Sequence, residues 1–510
     1  MQTPNRRTAG HGRHYNRRPW SVRVLDPATA TQVSDEEPPL PTAYVGPRVI
    51  FPKTSDRDEI EKELTKAAEE LGWKINVEKE DSRTSKLDYG VIKVGISVAD
   101  GRAVRPPDGF LLLQQARARS TSHALRTVGL DHVLHATDLS PNPLHNSDPL
   151  HNSDPLHNSD PLHNSDPLHN SDPAMSYVDA GRGGRQPVAY VGPAPLRTPQ
   201  SELTSRRPVV GILDTGCWTK HPWFKGGVVK TNVKLGNSPI GYTLSATAPE
   251  LHGDQVGPAD GVIDQLSGHG TFIAGLVHQI CPDADILSWR AVPSEGPIVE
   301  SDLVTFLTQI AELARRYRAG EQGGHALDVL NLSMGYYHES PQDLAFDPVM
   351  TGILDKLSDN GVVVVASAGN DATDRRCYPA AFSKKSMTTP IVSVGALNPN
   401  KTDALFSNVG DWVTTYQPGA ALMSTMPPFQ GGFEPIARTT AHDRRRESLD
   451  PDDFTGGFGI WSGTSFSAPI AAGLIARKLV GKVDATGAVD KPAKAATVAN
   501  AAVKACFPSH

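Results

Sequence analysis

The sequence predicts an α/β protein whose main domain is built on a doubly wound parallel sheet, preceded by a small α+β domain and a disordered repeat linker. Three observations support this fold class. Short apolar strands alternate with amphipathic helices after residue 208, a separate set of strands and helices precedes residue 138, and a six-residue repeat lies between them. A chain of 510 residues is long enough for about three such parts.

The first part, residues 1–42, is predicted to be a disordered basic arm. Six arginines and no acidic residue precede Asp26. Contact with an anionic partner is one interpretation of this composition, but a solvated flexible arm is the simpler one. No apolar segment of a secretory signal follows the arginines. The sequence therefore favours a cytoplasmic protein.

The second part, residues 43–138, is predicted to be the small α+β domain. Ile60, Leu64, Ala67, Ala68 and Leu71 fall on one helical face, with Ser55 and Gly72 at the expected cap and stop positions. Residues 43–51, 73–77 and 89–98 have the composition of strands, and the apolar run at 110–113 predicts a second helix.

The third part, residues 139–207, is predicted to be a low-complexity linker. It contains five tandem copies of Pro-Leu-His-Asn-Ser-Asp from Pro143 to Asp172. The histidines of these copies could form a metal-binding tract: His145, His151, His157, His163 and His169. We favour the linker, because a six-residue spacing on a flexible chain does not preorganise metal ligands.

The last part, residues 208–510, is predicted to form the parallel sheet. Apolar stretches at 209–213, 284–289, 327–332, 362–367 and 391–394 predict its strands. Residues 302–318 carry apolar side chains on one face and predict the clearest of the helices between them. In such folds the functional site lies at the carboxyl ends of the strands.

The composition excludes several classes of function. A net charge of -6 gives no basic field that would attract nucleic acid. The longest apolar stretch, around residues 362–366, is far short of the ~20 residues that span a bilayer. Four cysteines without short spacing argue against a disulfide framework and against a zinc site built from cysteine.

Three short motifs in the last part place reactive side chains at strand ends or helix starts. Val-Val-Gly-Ile-Leu-Asp-Thr-Gly puts Asp214 after an apolar strand, Gly-His-Gly-Thr puts His269 at a helix start, and Gly-Thr-Ser-Phe-Ser-Ala-Pro puts Ser465 at another. A serine hydroxyl becomes a nucleophile when a base removes its proton, and the base needs a carboxylate to orient it. Ser465, His269 and Asp214 supply the nucleophile, the base and the carboxylate.

The motifs resemble the three signatures of the subtilisin-like serine peptidases, the subtilases, over Pro208 to Val480. The resemblance implies a serine endopeptidase that hydrolyses peptide bonds in proteins through an Asp-His-Ser triad and an acyl-enzyme intermediate. It also implies that Asn370, directly after an apolar strand, is the oxyanion asparagine. The residues that match substrate-binding segments of the family are Ser333, Met334, Gly335, Ala368, Gly369, Tyr378, Pro379 and Ala380.

The sequence departs from the family pattern in several places. Where subtilisin has a calcium-binding loop after the histidine helix, residues 277–282 lead almost directly into the next strand, so no metal or other cofactor is predicted, and a calcium requirement stays open. The stretches 225–263 and 430–454 resemble insertions, which either rim the cleft and select substrates or are solvated loops. Cys217 is interpreted as a small buried hydrophobe rather than a reactive thiol, and His221 as structural.

Two functional alternatives remain open on the sequence. A catalytically silent binding or scaffold protein could share the fold, although every residue of the triad is present. The N-terminal domain is either an intramolecular inhibitor of the propeptide kind or an unrelated accessory domain. In the first case, cleavage is expected between Ala174 and Arg207. The predicted partners are protein or peptide substrates, with neither nucleic acid nor membrane.

Overall fold

The computed structural model describes residues 21–30, 38–102, 104–136, 177–255, 261–294, 296–340, 347–484 and 489–508. The five Pro-Leu-His-Asn-Ser-Asp repeats lie outside the described residues, as do residues 1–20 of the basic arm. The choice between a linker and a metal-binding tract therefore stays a prediction. The described residues between 21 and 136 form the N-terminal unit, and those between 177 and 508 form the C-terminal unit.

The N-terminal unit is an antiparallel sheet with two helices. Its elements in chain order are β1 (Val22–Leu25), β2 (Thr42–Pro52), α1 (Arg57–Glu70), β3 (Trp73–Val77), β4 (Val91–Val98), α2 (Gly109–Arg119) and β5 (Gly129–Ala136). Strand β2 pairs with β1, β4 and β5, and β4 pairs with β3. The apolar faces of both helices join the sheet in one core, which makes this an α+β unit.

The helix predicted from the spacing of Ile60 and Leu64 is confirmed, and both side chains are fully buried. Its cap lies one residue later than predicted, because the Asp56 carboxylate, rather than Ser55, accepts the Glu59 backbone N–H at 3.1 Å. The predicted disordered arm also differs from the structure at its end. Residues 22–25 form β1, and Arg23 pairs with Asp108.

The C-terminal unit contains the predicted parallel sheet. Its elements in chain order are β6 (Gln186–Pro187), β7 (Val209–Asp214), β8 (Val229–Lys230), β9 (Lys234–Leu235), β10 (Ser238–Pro239), α3 (His269–Ile280), β11 (Asp285–Arg290), β12 (Ile298–Val299), α4 (Glu300–Arg318), β13 (Val329–Leu332), β14 (Met334–Tyr337), α5 (Pro348–Asp359), β15 (Val363–Ser367), β16 (Cys377–Tyr378), β17 (Ile391–Leu397), β18 (Thr415–Pro418), β19 (Leu422–Thr425), β20 (Arg438–Ala441), β21 (Arg444–Glu447), β22 (Phe458–Trp461), α6 (Thr464–Leu479) and α7 (Pro492–Cys506).

The central sheet has the order β18-β17-β15-β13-β7-β11-β8, and all its pairings are parallel. Helices α3, α6 and α7 share one apolar core with the sheet, and α4 and α5 share the other. Helices on both faces confirm the doubly wound α/β class. Among the described residues, no helix combines the length and the apolar character needed to cross a membrane.

The two units are joined by a common sheet. Strand β5 of the N-terminal unit pairs antiparallel with β14 and with β12 of the C-terminal unit. The register places Ala136 opposite Met334 and Leu134 opposite Ile298. The N-terminal sheet therefore continues into the C-terminal unit, with the order β16-β14-β5-β2-β4-β3.

Residues 177–207, which the sequence assigns to the linker, lie along the C-terminal unit. Arg206 bonds Asp328 and Asp484, each at 2.6 Å, and the Thr198 amide donates to Asp283 at 2.7 Å. Strand β6 pairs with β22. The sequence extended the linker from the repeats through this stretch, whereas specific ion pairs hold its described part on the C-terminal unit.

Candidate active site

Asp214 and His269 meet at the carboxyl edge of the parallel sheet. Asp214 is the last residue of β7, and His269 is the first residue of α3. The Asp214 Oδ1 atom lies 2.8 Å from His269 Nδ1 and also accepts the Thr215 backbone N–H at 2.7 Å. Both side chains are buried. A carboxylate on one ring nitrogen fixes the orientation of the imidazole and stabilises its protonated form.

Glycine lets α3 approach the Asp214 segment closely. A Cβ atom on Gly270 would lie 2.0 Å from the Gly216 carbonyl oxygen, so a side chain at that position would push the helix away. The adjacent Thr271 hydroxyl accepts the Trp218 backbone N–H at 2.8 Å. The His-Gly-Thr and Asp-Thr-Gly motifs are therefore two sides of one packed contact.

Ser465 lies in the first turn of α6, where backbone N–H groups lack helical partners. Its Oγ atom is 3.4 Å from the Ser333 carbonyl oxygen. Pro469 sits inside the same helix and has no N–H to donate to the Ser465 carbonyl. The Ser333 hydroxyl donates to that carbonyl instead, at 2.9 Å. This bond ties the cleft wall to the helix that carries the serine.

Asn370 is attached to the start of the same helix. Its Oδ1 atom accepts the Thr464 backbone N–H at 2.9 Å and the Thr464 hydroxyl at 2.8 Å. With the amide oxygen held in this way, Nδ2 is the donor side of Asn370. A donor beside a helix N-terminus is the arrangement that stabilises a developing oxyanion.

The residues proposed to bind substrate lie on neighbouring elements around this edge. Ser333 immediately precedes β14, which contains Met334 and Gly335. Ala368 and Gly369 follow β15, where the Asn408 amide donates to the Ala368 carbonyl at 2.9 Å. Tyr378 pairs with β14 through Tyr336, and a cis peptide joins it to Pro379, ahead of Ala380.

Sequence reasoning missed Glu250, which lies behind the Asp214–His269 contact. The hydroxyls of Thr215 and Thr271 both hydrogen-bond its carboxylate, and the Gly270 N–H lies 3.2 Å from it. Burial raises the pKa of Glu250 to about 7. The residue belongs to the predicted insertion 225–263 and to none of the three motifs, so only the folded chain brings it to the site.

The second predicted insertion differs from the first. Residues 438–447 form the β20–β21 hairpin, whose second strand is exposed throughout. Arg438 pairs there with Glu447 at 3.0 Å. Within the described residues this hairpin gives no side chain to the Asp214–His269 contact.

His221 and Cys217 have structural surroundings. The His221 Nε2 atom contacts the Gly457 carbonyl oxygen at 2.9 Å, and burial lowers the pKa of His221 to about 4. Burial likewise raises the pKa of the Cys217 thiol well above its usual value, which disfavours the thiolate. His221 is buried, which supports its interpretation as structural, whereas Cys217 is only partly buried, so its interpretation as a buried hydrophobe is not confirmed.

The connection after α3 is short. Only residues 281–284 join Ile280 to β11, and the Asp283 carboxylate there bonds Thr198 and Arg207. These residues do not fit a calcium-binding loop, because the carboxylate in the connection is already engaged by a backbone amide and a guanidinium.

Comparisons with known proteins find serine proteases that are similar to parts of this chain. The major intracellular serine protease of Bacillus subtilis is 24% identical over 233 residues, covering 43% of this chain and 60% of that protein. The intracellular serine protease of Paenibacillus polymyxa is 25% identical over 285 residues, covering 52% and 65%. These curated relatives are therefore matched over less than two thirds of their length. The crystal structure of fervidolysin from Fervidobacterium pennivorans, a keratinolytic enzyme related to subtilisin, superposes with a TM-score of 0.45 at 18% identity, covering 89% of this chain and 58% of that one.

A family model matches the larger part of the chain. Residues 205–505 match the model described as the subtilase family. The matched segment begins just before β7 and includes Asp214, His269, Asn370 and Ser465. The chain belongs to the subtilase family.

Proposed function

We propose that this protein is a serine endopeptidase that cleaves peptide bonds in proteins. The observation that carries the proposal is the 2.8 Å contact between Asp214 and His269 at the sheet edge where the helix that carries Ser465 begins. Family membership supports the same conclusion. None of the three residue types needed for the chemistry is replaced.

In the proposed reaction, His269 Nε2 accepts the Ser465 hydroxyl proton as Oγ attacks the substrate carbonyl. Asp214 stabilises the imidazolium, and the Ser465 N–H and Asn370 Nδ2 donate to the oxyanion. His269 then passes its proton to the leaving amine, which leaves an acyl-enzyme. Water, deprotonated by the same imidazole, hydrolyses the ester and restores Ser465.

We also propose that the N-terminal unit is an intramolecular inhibitor. Strand β5 lies antiparallel to Met334 and Gly335, the segment to which an extended substrate would add as a strand. A substrate and β5 therefore compete for the same backbone groups.

Other contacts support a dedicated interface. The Asp131 carboxylate accepts the Ser301 backbone N–H and hydroxyl, both at 2.9 Å, and so caps α4, which has no side-chain cap of its own. Lys93 pairs with Asp302 at 2.7 Å. The Leu40 N–H donates to the Glu339 carbonyl at 2.7 Å. An inhibitor needs a strand at the substrate-binding segment, where β5 lies, whereas an unrelated accessory domain does not.

A fluorophosphonate probe tests the nucleophile. We expect slow labelling of the folded wild-type chain, because β5 occupies the cleft, and no labelling of Ser465→Ala. His269→Ala should reduce the labelling rate by at least about 10³-fold, since the hydroxyl loses its base. Ser467→Ala, a change of the same kind in the same helix, is the control and should label like wild type. Absence of Ser465-dependent labelling both in the folded full-length chain and after removal of residues up to Arg207 would favour the silent scaffold.

Self-cleavage tests the inhibitor. Extending the β5 register by one position brings the next residue of a bound strand opposite Ser333, beside Ser465 Oγ. We therefore expect a new N-terminus at residue 138, detected by intact mass and N-terminal sequencing, rather than a cut between residues 174 and 207. Ser465→Ala should stay intact. The same cut in Ser465→Ala, or a cut confined to 174–207, would contradict self-cleavage in this register.

A further inference from the structure

The His132 side chain of β5 is enclosed by residues of the C-terminal unit. Its Nδ1 atom lies 2.6 Å from Glu300 Oε2, and its Nε2 atom lies 2.7 Å from Glu339 Oε2. The Tyr336 ring stacks on the imidazole with centroids 4.8 Å apart and planes at 25°. His132 and Glu300 are each 1% exposed. The N-terminal unit thus inserts one planar side chain between two glutamate side chains.

The charges of this pocket suit a cation. Both nitrogens of an imidazole donate hydrogen bonds only when the ring is protonated. Burial alone would lower the pKa of His132, but the carboxylates of Glu339 and Glu300 outweigh it and hold that pKa well above its usual value. The two glutamates and the tyrosine belong to the C-terminal unit, so they remain in the cleft wall when β5 leaves.

The pocket also has a hydrogen-bond acceptor that His132 does not use. Glu300 Oε1 is buried and accepts no hydrogen bond from any residue in the part of the chain that the structure describes. An imidazolium has two donors, whereas a guanidinium has five in a planar fork that fits carboxylates and stacks on aromatic rings. An arginine side chain could therefore reach an oxygen that His132 leaves without a partner.

The register fixes where such a side chain would stand in a substrate. Ala136 lies opposite Met334, and His132 is four residues before it on the same strand. Alternation along a strand places residues 132, 134 and 136 on one face. A substrate bound like β5 would present its own side chain to Glu300 and Glu339 at this position.

We propose that Glu300, Glu339 and Tyr336 form a specificity subsite for a planar cationic side chain, arginine or histidine, four residues before the substrate residue opposite Met334. The inference rests on the proposed peptidase function and deepens it. His132 occupies the subsite in the unprocessed chain, as a substrate side chain would afterwards. The substrates are then proteins with a basic residue upstream of the cleaved bond.

Peptide pairs provide the test on the protein after self-cleavage and release of the N-terminal unit. Peptides identical except at this position would carry Arg, His, Lys, Gln or Leu, and kcat/KM would be measured for each. We expect Arg and His to exceed Gln and Leu by about 10- to 100-fold, as for a charge-assisted hydrogen bond in a buried site, with Lys between them. Equal values, or a preference for Leu, would overturn the subsite, and Lys at or above Arg would overturn its preference for planar groups.

The same experiment separates the two proposals. Cleavage of all peptides at one rate retains the peptidase and rejects the subsite, whereas cleavage of none contradicts the peptidase. Glu300→Gln combined with Glu339→Gln should reduce the preference for Arg over Leu to less than about threefold, because the charge is lost while the shape is kept. Glu321→Gln, on an exposed residue just beyond the end of α4, is the matched control and should leave the preference unchanged. The wild-type peptide comparison stands even if the double variant does not fold.

Discussion

Replacing Asp214 with asparagine is expected to lower kcat by about 10⁴-fold while the chain stays folded. The 2.8 Å contact of Oδ1 with His269 Nδ1 places a negative charge next to the imidazole that must become positive during the reaction. An amide keeps the shape but removes the charge, so the protonated imidazole is no longer stabilised and its tautomer is no longer fixed. The rate of hydrolysis of a fluorogenic peptide measures the effect.

Glu250→Gln is the matched control for this change. Glu250 is also a buried carboxylate, and it contacts the same Thr215 hydroxyl, but no hydrogen bond joins it to the His269 ring among the described contacts. We expect a loss of less than about tenfold for Glu250→Gln, since its effect reaches His269 through other groups. Equal losses for the two variants would show that disruption of the pocket, rather than the orienting role of Asp214, explains the first result.

The architecture of the C-terminal unit could be predicted because its signals are local. The apolar run at Val209–Leu213 and the one-sided apolar face of 302–318 correspond to β7 and α4 within a few residues. Alternation of such segments leaves a parallel sheet with helices on both faces as the simplest way to bury them. In the N-terminal unit, by contrast, the start of α1 shifted by one residue, because Asp56 rather than Ser55 forms its cap.

The residues of the candidate site could be named from motifs, but the side chains that hold those residues in place could not. Asp214, His269 and Ser465 stand in short segments whose spacing is distinctive. Glu250 lies in no such segment. Its place at the site depends on two threonine hydroxyls that only the folded chain brings to it. The same holds for the Ser333 hydroxyl, which takes the place of the N–H that Pro469 lacks.

The position of the N-terminal unit could not be predicted either. Strand β5 and strand β14 are about 200 residues apart in sequence, and neither carries a pattern that specifies the other as its partner. His132 of β5 is similarly uninformative alone. Its role depends on Glu300 and Glu339, which flank it only after the two units dock.

Replacing His132 with glutamine is expected to increase the labelling of Ser465 in the full-length chain by at least about 100-fold at pH 6. The change leaves the ionised Glu339 carboxylate buried without its cation, and breaking a buried ion pair from one side costs about 3–5 kcal/mol. Strand β5 should therefore leave the cleft far more often. His135→Gln, on the same strand but partly exposed, is the control and should stay within about threefold of wild type.

The effect should depend on pH in a definite direction. The pKa of His132 is raised in the docked state, so its contribution is complete below about pH 6.5, the usual histidine value, and is lost as the pH rises through the raised value. Burial, with Asp347 adding to it, raises the pKa of Glu300 to about 8, which also weakens docking as the pH rises. Glu339 has the opposite effect on docking, because nearby His338 and His132 lower its pKa despite burial. That effect is confined to acidic pH, where the Glu339 carboxylate takes up its proton.

The ratio of the labelling rates of His132→Gln and wild type should therefore be largest near pH 6 and fall toward one above it. Using the ratio cancels the titration of His269, which both proteins share, and a ratio that grows with pH would contradict a protonated His132 as the group that holds β5 in the cleft.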